Sequence, residues 1–141
     1  MTPTLFGRWQ TRLFLLATVG VLVTLPFSLG IIEPNFGTRY YSILGYVAIF
    51  GCIWDILYNY LQKFRWDRDW PGALQLLAAI WEAVFIAGSV RLAILPGMPS
   101  DLPLFWFFLH YSIVWLSVYV ASQTIMRILF PRWRFRGGQL I

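Results

Sequence analysis

Charge is what this sequence has least of. Charged residues make up 12% of its 141 positions, against about 25% in soluble domains. Reactive side chains are equally scarce, and each shortage excludes something. The only lysine, Lys63, falls in a charged turn, so no retinal-type Schiff base can form inside an apolar segment. Cys52 stands alone, which rules out an internal disulfide and leaves the redox compartment open. With His110 as the one histidine, a bis-histidine haem cannot be built within one chain. No cluster of His, Cys or acid accompanies it of the kind a closed zinc site uses. Neither H-E-x-x-H nor G-x-S-x-G occurs, and no phosphate-cradling loop is present, so the common metal and serine hydrolase designs are disfavoured. No catalytic residue, metal or cofactor is named by any motif.

Apolar residues are what the chain has in quantity, at 59% hydrophobic with a mean hydropathy of +0.66. Runs of about 20 apolar residues read as spanning helices, and they use nearly all the length. The expectation is an all-α, polytopic integral membrane protein forming a single transmembrane domain over 1–141. Its four transmembrane helices are placed at about 13–32, 41–61, 72–95 and 104–130. A basic start before the first run resembles a signal peptide. That run exceeds the usual 7–15 residue core and lacks an A-x-A-like site, so it reads as retained.

The net charge of +5 comes in short basic clusters beside the spans, without a recognition motif for nucleic acid. Nine basic residues (Arg8, Arg12, Lys63, Arg65, Arg68, Arg127, Arg132, Arg134 and Arg136) fall on one side, against Arg39 and Arg91 on the other. That bias predicts both termini in the cytoplasm or its equivalent, as an even number of spans requires. A bacterial inner membrane, or an equivalent energy-converting membrane, is the expected location. Membrane lipid is the expected immediate partner, and a homo-oligomer or larger membrane complex the expected assembly. The Arg132–Arg136 tail is expected to hold the last helix at an anionic surface.

Each span carries one face of small or polar residues at helical steps. On the first these are Gly20, Thr24 and Ser28, and on the second Gly45, Ala48, Cys52, Asp55, Asn59 and Gln62. The third offers Gln75, Ala79, Glu82 and Ser89, and the fourth His110, Val114, Ser117, Ala121 and Thr124. Trp9, Tyr40, Tyr41, Trp66, Trp70, Trp106 and Trp133 read as interfacial aromatics, whereas Trp54, Trp81 and Trp115 lie deeper.

Asp55 and Glu82 are equidistant from the middle of the turn Arg65-Trp66-Asp67-Arg68-Asp69-Trp70-Pro71, as are Gln62 and Gln75. A helical hairpin brings each pair to one depth. An ionisable group inside a span costs roughly 2.5–3.5 kcal/mol and marks a functional hypothesis. Two carboxyls close together in low dielectric cannot both ionise cheaply, so the pair is expected to share a proton or bind a cation. Asn59, Gln62 and Gln75 complete that candidate site, and Tyr58 and His110 are candidate relays. The rival reading is interhelical glue, at about 0.6–2 kcal/mol per polar contact. Three functions stay open: a proton- or cation-binding transporter or channel, an accessory or assembly subunit of an energy-converting complex, and a membrane enzyme acting on a lipid or isoprenoid. The first leads, because the acids are its positive sign, and an enzyme is the less expected class.

Overall fold

A computed structural model describes residues 2–35 and 37–141. Its described residues form helices joined by turns, and four helices are long and apolar enough to cross a membrane. These are α1 (Leu5–Ser28), α2 (Arg39–Gln62), α3 (Gly72–Arg91) and α4 (Leu104–Gln123), the last continued past a break at Thr124 by the short α5 (Ile125–Leu129). Consecutive helices are antiparallel neighbours. α1 packs on α2 and α4, and α3 also packs on α2 and α4, so the four close into a ring with α1 and α3 facing across it.

The first helix starts earlier than its apolar run dictates. Thr4 caps it, its hydroxyl accepting from the Gly7 amide at 3.1 Å, and the first two turns carry Arg8 and Arg12. Further along, Leu16–Gly20 forms a π-helical turn. Beside it the Thr18 hydroxyl donates to the Phe14 carbonyl at 2.7 Å. A π turn absorbs one extra residue. In an unbroken α-helix, residues twelve apart are rotated by about 120°, and removing one residue's rotation of about 100° brings them to within about 20°. Arg12 and Thr24 therefore share the inward face.

The predicted faces of α3 and α4 match the buried ones at Ala79, Glu82, Ser89, His110, Val114 and Ala121, while Thr124 is exposed. The small face predicted for α2 is rotated. Gly45 is exposed and nothing lies within 4 Å of where its Cβ would stand. The residues that α2 buries are Tyr40, Ile43, Leu44, Val47, Gly51, Asp55, Tyr58 and Gln62. Large aliphatic and aromatic side chains make most of its seam, joined by Gly51 and by Asp55 and Gln62 of the predicted face.

At the end away from the α2–α3 turn, α3 stops with Ala93 in the left-handed region and the Ile94 amide bonded to the Ser89 carbonyl at 3.0 Å, a Schellman-type closure. The proline-rich loop that follows is anchored by Leu95, Met98 and Leu102, all buried. At the opposite end, both termini come together. The Thr4 amide donates to the Gly137 carbonyl at 2.9 Å, and the indole N–H of buried Trp133 donates to the Thr11 hydroxyl at 2.7 Å. The tail thus docks on α1 of its own chain. A Cβ at Gly7 would stand 2.1 Å from the Gly137 oxygen. Gly7→Ala is expected to lift the tail, and trypsin should then cleave at Arg132–Arg136 about tenfold faster, as local opening of about 1.4 kcal/mol implies. Gly45→Ala should leave that rate unchanged.

Candidate functional site

The centre of the ring holds a charge cluster reaching from α1 to α2 and α3. Arg12 Nε and Nη2 donate to Asp55 Oδ2 and Oδ1 at 2.8 and 2.9 Å. Its Nη1 and Nη2 donate to Glu82 Oε2 and Oε1 at 3.0 and 3.1 Å. Each carboxylate is gripped by two N–H groups of one planar fork, the geometry in which arginine outperforms lysine. The acid side chains are 4% exposed and Arg12 is 21% exposed, on the side of a cavity that it lines.

Gly51 makes room for this cluster. A Cβ there would stand 2.1 Å from Arg12 Nη1 and 2.6 Å from Cζ, so the guanidinium lies directly on the α2 backbone. Only glycine permits that approach. One turn before Arg12, Arg8 extends the same face. Its Nη2 donates to Gln62 Oε1 at 2.8 Å, and its guanidinium sits 4.6 Å from the centre of the Trp70 ring. Gln62 in turn donates to the Arg68 carbonyl at 2.7 Å, which ties the charged turn to the site. Within that turn Arg65 grips Asp67 through two bonds of 3.1 and 2.9 Å. Those bonds hold the Asp67 carboxyl below the usual carboxylate range.

A cavity of about 380 Å³ runs alongside the cluster. It reaches from Gln123 and Arg134 at the termini end to His110. Thirteen residues of helix separate Gln123 from His110, so it extends about 20 Å along the bundle. His110 is buried between Phe27 and Tyr40, with ring centres 4.9 Å away in both cases. His110 Nε2 and the Thr24 hydroxyl lie 2.9 Å apart. Nδ1 has no protein partner among the described residues, whichever tautomer the Thr24 bond selects. Tyr111 lies between the two groups, lining the cavity and donating to the Ala79 carbonyl at 3.0 Å. Beyond His110, the Tyr40 hydroxyl donates to buried Glu33 at 3.3 Å.

Among the residues expected from sequence, Asp55 and Glu82 converge, while Gln62 bonds Arg8, one turn from Arg12, rather than either acid. Gln75 lines the cavity without bonding to an acid. Tyr58 is buried with its hydroxyl beside Glu82, short of a completed hydrogen bond. Asn59 does not line the cavity and forms no hydrogen bond with either acid. His110 shares the cavity with the acids rather than touching them. Arg12 is the principal residue that sequence reasoning missed, since it had been counted only as an orienting charge. The spacing of Arg8 and Arg12 at i and i+4, together with two unpaired acids at depth, was the available signal. Among the described residues no group of three His, Cys, Asp or Glu is placed to hold a metal.

Removing one member of a buried ion cluster strands its partners at a cost of about 3–5 kcal/mol, while replacing the whole cluster by apolar groups is often neutral. Arg12→Gln is therefore expected to lower unfolding stability in detergent by that amount. A variant combining Arg12→Met, Asp55→Leu and Glu82→Met should regain most of it. Gly51→Ala should cost about 1–3 kcal/mol through overpacking against the guanidinium.

No protein-family model, curated protein or solved structure matches this chain, and its function rests on the geometry of this site.

Proposed function

We propose that the protein is a small proton-handling transporter or channel of an energy-converting membrane, with Asp55 and Glu82 as the proton-accepting pair and His110 as relay. The observation that carries this reading is one cavity lined by both acids and by His110, whose Nδ1 has no protein partner among the described residues. Within the hydrogen-bonded cluster two carboxylates share one guanidinium, with Arg8 one turn away as the next cation. In a low-dielectric interior a proton is the smallest ion that can join two carboxylates sharing one guanidinium. A metal cation is the weaker choice, because Arg12 already occupies the position between the acids.

Protonation of Glu82 weakens its two bonds to Arg12 and leaves Asp55 to hold the guanidinium alone. The cavity has room for about a dozen waters at roughly 30 Å³ each, enough to connect the acids with His110 over the intervening depth. Tyr58 and Tyr111 border that path with hydroxyl groups. Both termini are assigned to the cytoplasmic side. Once Arg8 and Arg12 are set aside for their internal contacts, seven basic residues lie at the termini end against Arg39 and Arg91 at the other.

In proteoliposomes carrying a pH-sensitive dye, Glu82→Gln is expected to lower proton flux at least about tenfold while the protein stays folded, the range over which positioned acid–base groups act. His110→Phe should lower it as well, and Asn59→Ala should not. Unchanged flux in Glu82→Gln and His110→Phe would remove the proposal.

A further inference from the structure

The cavity carries a second asymmetry that proton transfer does not use. Its mouth at the termini end is bordered by Arg8, Arg127 and Arg134. None of the three is paired with a carboxylate among the described residues, whereas Arg12 is committed to Asp55 and Glu82. Arg8 Nε is buried without a protein partner among the described residues, and the guanidinium's contacts there are the neutral Gln62 amide and the Trp70 ring. Deeper in, the wall is formed by Leu15, Leu44, Val47, Val114 and Val118. Arginines dominate the mouth, where Asp69 also lies, and deeper in the aliphatic wall stands beside the Arg12–Asp55–Glu82 cluster.

We infer that this cavity binds a single-chain amphiphile with an anionic head, a carboxylate or a phosphate. The head sits among Arg8, Arg127 and Arg134, and the chain lies along the aliphatic wall. Arginine forks match both oxyanions with paired, charge-assisted hydrogen bonds. The volume of about 380 Å³ lies near the lower bound of about 300–1,000 Å³ for small-molecule sites. That volume matches one acyl chain better than two. The inference stands on the mouth and the wall, and does not depend on proton transfer.

Trp70 and Trp115 line the cavity and report on occupancy. The test uses the purified full chain in nanodiscs of zwitterionic lipid, titrated with a chain-brominated fatty acid, the alkyl phosphate of equal length and the methyl ester of the same acid. Saturable quenching by the acid or the phosphate is expected, and the tighter of the two identifies the head. Quenching should fall in Trp115→Phe. Arg8→Gln and Arg134→Gln should each weaken binding about tenfold, the loss of roughly one charge-assisted hydrogen bond. Because Arg134 is exposed on the tail, its variant reports even where Arg8→Gln perturbs folding. Equal binding of the ester, unchanged affinity in Arg134→Gln, or no saturable quenching by any ligand would each overturn the inference.

Discussion

The bundle depends on one guanidinium held between two carboxylates. α1 and α3 face each other across the ring, and the bonds from Arg12 to Glu82 span that gap while those to Asp55 fix α2 beside it. Apolar contact alone gives helices in lipid little reason to choose a register, since lipid chains are as apolar as leucine. A planar fork satisfied on two edges selects one arrangement. Neighbouring features follow from its position: glycine at 51, an arginine one turn earlier on α1, and a cavity where the four helices stand apart around polar side chains.

The π turn in α1 serves the same constraint. Without it, Arg12 and Thr24 would point a third of a turn apart, and either the charge cluster or the His110 contact would face lipid. One added residue at Leu16–Gly20 lets a single helix serve the acids near one end and the histidine near the other. The widened turn is thus a device for aligning two sites, in keeping with the frequency of π turns at functional positions.

Hydropathy made the four spans legible from sequence, because a run of about 20 apolar residues has few alternatives. The convergence of Asp55 and Glu82 was also legible, from their symmetry about a short turn. Arg12 was not, because a basic residue beside an apolar run satisfies the orientation rule so well that no further task is sought for it. The seam of α2 was misread for a related reason. A stripe of small residues suggests close packing, but Gly45 lies off the seam and Ala48 at its margin, while Ile43, Leu44 and Val47 line the cavity. The alignment of Arg12 with Thr24 was hidden too, since regular 3.6-residue spacing places them on different faces.

Arg12 also imposes an order on biosynthesis. It precedes Asp55 by 43 residues and Glu82 by 70, so the first helix is complete well before either acid has been made. An arginine about 10 Å inside an isolated span is penalised by up to roughly 2.5–3.5 kcal/mol, the figure for a helix centre. Until α2 and α3 arrive, α1 is therefore a poor independent occupant of the bilayer. Its stable entry is a joint event with the hairpin that follows, and the tail that later closes over Thr4 and Thr11 seals a helix whose burial was settled by residues synthesised after it.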